Sequence, residues 1–187
     1  MKRLLLSAVV MALITFSPSA LAELTNPTQY MFCVVAEEGE SVMLMCGNEQ
    51  TNNDTSFIGL RYDNGSVAKR GNHQYALAFS VTENESLPAR LIDTIPVRYL
   101  FQRKGVTDGL SEVQHKESDR FIWNGHMAVK FLTELELETV LDTWSSAQNV
   151  LVALEHAKNE NNLDSIQLEG SARAIKDFKN RVALMKG

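Results

Sequence analysis

The hydrophobic pattern of this chain changes period at Thr133, and this change limits the folds open to it. Before Thr133, short apolar runs are separated by turn residues, and the clearest run alternates strictly at period two. After Thr133, apolar residues recur at i, i+3, i+4 and i+7, as they do on one face of a helix. The sequence therefore predicts an α+β domain, mainly an antiparallel β-sandwich or curved sheet, with two helices packed on it.

The two helices are expected over about 134–146 and 171–185. Thr133 and Glu136 have the spacing of a capping box, which marks the start of the first helix. Ser171 is expected to be the N-cap of the second helix. The apolar stripes are Leu137, Val140, Leu141 and Trp144 in the first helix, and Ile175, Phe178, Val182 and Met185 in the second.

The region before Thr133 is predicted to consist of short strands joined by turns. Residues 74–82 are expected to form a half-buried strand, because alternate positions are apolar. Hairpin turns are expected at the two Asn-Gly pairs, 64–65 and 124–125. Residues 93–96 are expected to break two apolar segments, 89–92 and 97–101. Pro96 is expected at a strand start or at an edge position, because proline cannot donate to the hydrogen-bond ladder of a sheet.

The first 22 residues have the layout of a secretory signal peptide. Lys2 and Arg3 precede an apolar run of 13 residues from Leu4 to Phe16, whereas a membrane-spanning helix needs about 20 residues. The small-residue pattern Ala20-Leu21-Ala22 closes the segment. We therefore expect cleavage after Ala22, a single mature domain over residues 23–187, and export to the periplasm, with secretion as the second choice.

The mature domain is expected to be acidic. Residues 1–22 hold two of the 18 basic residues and none of the 23 acidic ones, so residues 23–187 carry a net charge of −7. Nucleic acids and anionic lipids both need a concentrated basic surface. We therefore expect no nucleic-acid ligand and no membrane insertion after cleavage.

Cys33 and Cys46 are the only cysteines, and an oxidising compartment favours a disulfide between them. If they lie opposite each other in a hairpin, Gly39-Glu40 becomes a two-residue turn with Gly first, as a type II′ turn prefers. The bond would close a 14-residue loop and contribute on the order of 3 kcal/mol. The alternative is a redox-active pair, but that chemistry usually uses C-x-x-C spacing.

Sequence motifs for catalysis and metal binding are absent. There is no G-x-S-x-G elbow, no phosphate-binding glycine loop and no zinc motif. We therefore expect no catalytic residues, no metal and no cofactor. An enzyme of unrecognised type is an alternative, and it would need distant polar residues, for instance Arg98, His115 and His126, to converge in one pocket. The remaining histidines, His73 and His156, share no metal-ligand spacing with these.

The C-terminal segment is basic in an otherwise acidic chain. Five cations stand there against one carboxylate, Asp177. Positive charge near a helix C-terminus favours the helix dipole, which accounts for the cations from Lys179 to Lys186 but not for Arg173. We hypothesise a docking face for an acidic protein partner, with a solvated surface as the alternative. Its candidate residues are Arg173, Lys176, Lys179 and Arg181.

Three segments of the C-terminal half resemble a group of small exported bacterial proteins. The segments are Val97-Arg98-Tyr99-Leu100-Phe101, Phe131-Leu132 and the run from Ile166 to Ile175. The group includes the invasion-associated locus B family and small periplasmic proteins encoded beside type VI secretion systems, and the resemblance covers roughly residues 95–185. It implies an antiparallel β-sandwich with one or two helices and brings no established catalytic residues. The chain departs from the group in having no cysteine in this half.

The function predicted from these features is that of a non-enzymatic periplasmic accessory or binding protein with a protein partner. The alternative within the class of binding proteins is an inhibitor of a cell-wall hydrolase such as lysozyme. An exported, acidic, disulfide-stapled β-protein would suit a basic enzyme electrostatically.

Overall fold

A computed structural model describes residues 25–47, 56–64, 73–80, 92–104, 111–123, 127–154 and 164–187. The predicted signal peptide, residues 1–22, and the predicted turns at 65 and 124–125 lie outside these ranges.

Ten strands and two helices are formed within the described residues. All strand pairs are antiparallel, and they join into one sheet in the order β1-β2-β3-β4-β5-β8-β7-β6-β9-β10. The strands are β1 (Thr25–Tyr30), β2 (Cys33–Glu38), β3 (Ser41–Gly47), β4 (Phe57–Asp63), β5 (Tyr75–Ser80), β6 (Ile92–Lys104), β7 (Ser111–Trp123), β8 (Ala128–Leu132), β9 (Asn149–Leu154) and β10 (Asp164–Gln167). The helices are α1 (Glu134–Ser146) and α2 (Ser171–Lys186).

The sheet curves until its last strand reaches its first half. β10 contacts β3, although the two are separated by six strands in the sheet order. The hydroxyl of Ser56, just before β4, donates to Asp164 Oδ2 at 2.5 Å. The inner faces of both halves therefore share one apolar core with α1 and α2. The predicted α+β fold is confirmed, and of its two forms the structure has the curved sheet.

Helix α1 has the predicted bounds and the predicted capping box. The Thr133 side chain accepts from the Glu136 backbone N–H, and the Glu136 carboxylate accepts from the Thr133 N–H at 2.8 Å. The four apolar residues predicted to line α1 are all buried. Local sequence thus determines where this helix begins and which face it buries.

The predicted N-cap of α2 is wrong by one residue. Gly170 occupies that position with φ 94°, and Ser171 is the first helical residue. A side chain at position 170 would overlap the carbonyl oxygen of Tyr30, so the close approach of β1 requires glycine there. The Ser171 hydroxyl, freed from capping, donates to the Trp144 carbonyl at the end of α1 at 3.2 Å.

Strands β2 and β3 form the predicted disulfide hairpin. Cys33 pairs with Cys46 in register, and Glu38 pairs with Ser41. Gly39 has φ 57° and Glu40 has no positive φ, as a type II′ turn requires. The disulfide therefore links directly opposed residues of adjacent strands.

Two strand predictions need correction. In β5, Tyr75, Leu77 and Phe79 face the main core as predicted. The opposite face of the strand is also buried, because Ala76 and Ala78 belong to a second apolar cluster. The predicted interruption before Pro96 is absent, because β6 runs through it with a register shift between Ile92 and Ile95. Pairing of β6 with β9 begins only at Val97, so Pro96 has the predicted edge position, and its missing N–H interrupts no bond to β9.

Candidate functional site

Helix α2 lies on the core through one stripe and presents three different environments around its other sides. Its buried residues are Ser171, Ala174, Ile175, Phe178 and Val182. One flank faces β1 and β2, the other faces α1, and the remaining side is open to solvent. Because these environments differ, the basic residues of the predicted docking face have different roles.

Arg181 binds the N-terminal strands. Its guanidinium donates to the Asn26 carbonyl and the Thr28 hydroxyl, both at 2.7 Å, and pairs with Glu37 at 3.2 Å. It also pairs with Asp177 one turn earlier at 3.1 Å, and only 14% of its side chain is exposed. These bonds fasten the edge strand β1 to α2, so Arg181 serves the fold and not an open surface.

Lys179 and Lys186 pair with α1. Lys179 Nζ lies 2.7 Å from Glu138, and Lys186 Nζ lies 3.3 Å from Glu134. Lys186 also stands over the rings of Tyr62 and Tyr75, 5.6 and 5.4 Å from their centroids. A hydrogen bond with Tyr75 raises the pKa of Lys186, and Glu134 adds to the effect against the opposing effect of burial. The seam between the two antiparallel helices is thus closed by ion pairs.

Arg173 and Lys176 are exposed and have no ion-pair partner among the residues that the structure describes. They stand in the first half of α2, where the backbone dipole is positive and no acidic residue occupies the first turn. Arg173 therefore lies where positive charge is unfavourable. We call these two residues the basic face.

A shallow cleft of about 330 Å³ borders the basic face on the side of α1. Lys176 and Lys179 line one wall, Asp142 and Ser145 line the other, and Leu141 and Ile175 are also in the lining. A second cleft of about 250 Å³ lies further along the same seam, between Lys179 and Lys186. Both clefts are small and open, so they are better suited to contact with the surface of another protein than to enclosing a small molecule.

The β1–β2 turn beside the start of α2 is a feature that sequence reasoning missed. Met31 and Phe32 are 61% and 39% exposed, although both are large apolar residues. Met31 also has φ 53°, which is uncommon for a side chain of its size. The signal available in the sequence was an apolar pair leading into the first strand of the predicted hairpin, where it was expected to continue that strand, and exposure could not be read from it.

A second group of charged residues lies away from α2, where β7, β8 and the start of α1 meet. Lys130 forms ion pairs with Asp119 and, at 3.2 Å, with Glu136. Burial alone would raise the pKa of Asp119, but bonds from Lys130 and from the Arg120 N–H hold it below its usual value. The Thr133 N–H lowers the pKa of Glu136. Each charge has a partner here, so this cluster fastens the α1 cap to the sheet.

The polar residues named for a possible enzyme are not brought into a common site by the described part of the chain. Arg98 lies on β6 opposite Ser118, whereas the backbone of His115 lies on β7 opposite Phe101. His126 and His156 fall outside the described ranges, and His73 is half-buried beside the Phe131 ring at 6.1 Å. No group of three or more metal-ligating side chains occurs among the described residues. None of the described helices is long and apolar enough to cross a membrane.

Comparison with known proteins adds one distant structural likeness. The chain is similar to invasion associated protein B from Bartonella henselae, with 12% identity over 87% of this chain and 100% of that chain, and a TM-score of 0.49. A likeness this distant carries no inference about activity or partners. No family model and no curated protein matches the sequence.

Proposed function

We propose that this chain is a non-enzymatic, exported accessory protein that binds an acidic protein partner through the basic face, Arg173 and Lys176. The observation that carries the proposal is that both cations are exposed without ion-pair partners among the described residues, with Arg173 in the first turn of α2, at the positive end of its dipole. Neither cation gains from the helix dipole there, so helix stability does not explain them. Violations of a local stability rule are expected where a surface serves binding.

The neighbouring cations support a narrower surface than the sequence predicted. Arg181 and Lys179 have close partners within the chain, at 2.7 Å from Thr28 and Glu138 respectively. Lys179 remains at the border of the clefts, whereas Arg181 is committed to β1 and β2. A partner would therefore meet Arg173 and Lys176 first, with Lys179 at the edge.

The decisive experiment compares two double variants of equal charge change. R173Q/K176Q removes the basic face, and L135E/T139E makes the same change in net charge on exposed positions of α1. Each is used as bait for the periplasmic proteins of its native host beside the unaltered mature chain. We expect R173Q/K176Q to lose a specific captured protein at least tenfold, L135E/T139E to keep it, and both to keep their melting temperature.

Retention of the captured protein by R173Q/K176Q would remove the basic face from the proposal. The inhibitor alternative has its own readout, because purified chain added to lysozymes of several types should then slow them. Equal inhibition by the unaltered chain and by R173Q/K176Q would favour a hydrolase inhibitor that acts through another surface.

A further inference from the structure

We infer that the β1–β2 turn, Met31-Phe32, is the apolar anchor of the same docking surface, and that the partner offers an apolar pocket bordered by carboxylates. This inference rests on the proposed function, because it names what the partner must present. It extends the surface from two cations to a mixed apolar and basic patch.

The first reason is exposure. The large apolar side chains that the described residues leave exposed are Met31, Phe32, Leu135 and Leu184. Leu135 and Leu184 stand singly on separate helices, which is ordinary for a surface. Met31 and Phe32 are consecutive, and both project from one turn, so they form a contiguous apolar feature.

The second reason is that the turn is held rigidly in an unusual conformation. Met31 has φ 53°, and a non-glycine residue keeps such a conformation when its surroundings enforce it. The Phe32 N–H donates to the backbone carbonyl of Glu169 at 3.2 Å, and the Phe32 carbonyl accepts from the Gly47 N–H at 3.0 Å. The disulfide follows at once at Cys33. A fixed apolar anchor loses little conformational entropy on binding, which favours affinity.

The third reason is its position against the start of α2. The Tyr30 carbonyl packs on Gly170, whose ideal Cβ would stand 2.8 Å from the Tyr30 carbonyl carbon. Burial, and after it the nearby Asp177 carboxylate, raises the pKa of the Tyr30 hydroxyl. Arg173 lies between Gly170 and Asp177 along the helix, and its backbone N–H donates to the Gly170 carbonyl at 3.1 Å. The anchor and the basic face are therefore neighbours.

The charges favour a protein partner over a membrane. Binding to an anionic lipid surface needs a cluster of about four to eight cations. The basic face has two, on a chain whose formal net charge is already −5 before the signal peptide is removed. Apolar anchors with arginine beside them are instead the composition of protein–protein hot spots. Carboxylates around the partner's pocket would complement Arg173 and Lys176.

The test places the photo-crosslinker p-benzoylphenylalanine at single positions of the full chain, expressed in its native host. Position 31 probes the anchor, position 180 probes the exposed side of α2 beside the basic face, and position 135 is the exposed control. We expect adducts of one mass from 31 and 180, none of that mass from 135, and at least a fivefold loss of both when R173Q/K176Q is added. Mass spectrometry identifies the adduct for purification.

The affinity of that purified protein is then measured with matched variants. M31S/F32S should weaken binding at least tenfold, whereas L135S/L184S, which removes the two other exposed apolar residues, should change it less than twofold. Unchanged melting temperatures in both variants exclude misfolding as the cause.

The outcomes separate the inference from the proposed function. Adducts from position 180 but not from position 31 would overturn the inference, as would equal affinities of M31S/F32S and the unaltered chain for the partner. Neither result would contradict the proposed role of the basic face. Adducts that persist in R173Q/K176Q would overturn the basic face itself. An adduct with the mass of two copies of this chain would overturn the inference, as would M31S/F32S-sensitive binding to vesicles of phosphatidylglycerol and phosphatidylethanolamine.

Discussion

The two halves of α2 are fixed to the domain by different means. The first half is positioned by backbone and neutral contacts, with Gly170 against Tyr30 and the Ser171 hydroxyl on Trp144. The second half is positioned by cations, with Arg181 on β1 and β2 and with Lys179 and Lys186 on α1. Basic residues thus fasten α2 at one end, whereas at the other end Arg173 and Lys176 are exposed and have no ion-pair partner within the described part of the chain.

The largest effect should come from the backbone contact that positions the first half. Gly170→Ala would place a methyl group onto the Tyr30 carbonyl and force an alanine to φ 94°. We expect the free energy of unfolding to fall by on the order of 3 kcal/mol, as measured by urea denaturation. Gly39→Ala is the control, since it has positive φ but open space around it, and it should cost about 1 kcal/mol. Equal losses in the two variants would mean that the contact with Tyr30 adds nothing.

Arg181→Met tests the main cation of the second half. It leaves the half-buried carboxylates of Glu37 and Asp177 without their cationic partner and removes two bonds to β1. We expect a loss of about 2–3 kcal/mol in unfolding free energy and faster hydrogen exchange in β1. Lys176→Met, in the first half, should cost less than about 0.5 kcal/mol. A similar loss of unfolding free energy in Arg181→Met and Lys176→Met would contradict the difference between the two halves of α2.

Lys179→Met should have a much smaller effect, although its ion pair is short. The Lys179 and Glu138 side chains are 42% and 56% exposed, and water screens such pairs. We expect at most about 0.5 kcal/mol, measured by thermal and urea unfolding with Glu138→Gln as the partner variant. A larger loss of unfolding free energy in Lys179→Met than in Arg181→Met would show that the ion pairs with α1, and not the bonds of Arg181 to β1, fix this half of α2.

The pH dependence of stability should carry a signature of Lys186. Because its folded-state pKa is raised above the usual 10.5, its contribution is complete below that pH and is lost as pH rises through the raised value. Unfolding experiments above pH 10 should therefore show a weaker alkaline loss in Lys186→Met than in the unaltered chain. Arg173→Met is the control, since arginine stays charged there. Identical alkaline profiles for Lys186→Met and the unaltered chain would be evidence against the Tyr75 and Glu134 contacts.

The smallest expected change in stability is a gain, whereas the variants above are expected to lose stability. Arg173→Glu replaces an unfavourable charge in the first turn of α2 with one that the helix dipole favours. We expect a gain of a few tenths of a kcal/mol in stability together with loss of partner capture. Calorimetry measures the stability and the capture assay measures binding, and a clear loss of stability would show that Arg173 supports the fold.

Several elements could be predicted because their determinants are adjacent in the chain. The bounds of α1 follow from Thr133 and Glu136, which are three residues apart, and the register of the disulfide hairpin follows from two cysteines and one turn. The start of α2 was displaced by one residue because a backbone from β1, distant in sequence, occupies the space beside position 170. Local capping preference was overruled there by close packing.

The candidate site was predicted less completely, for the same reason. The sequence located the basic residues of α2 but could not separate Arg173 and Lys176 from Arg181, whose partner Glu37 is 144 residues away. Nor could it show that Met31 and Phe32 stay exposed, because burial depends on which elements cover a turn. Their exposure is a property of the assembled domain.

The sequence by itself determined the α+β class, the helical faces, the disulfide register and an expectation of export, since period, capping and turn chemistry act over a few residues. The tertiary structure alone decided that the sheet curves until β10 reaches β3, which of the α2 cations have ion-pair partners within the described ranges, and that an apolar turn packs against the start of α2. Ion pairs and burial depend on distances in space that short-range patterns do not encode.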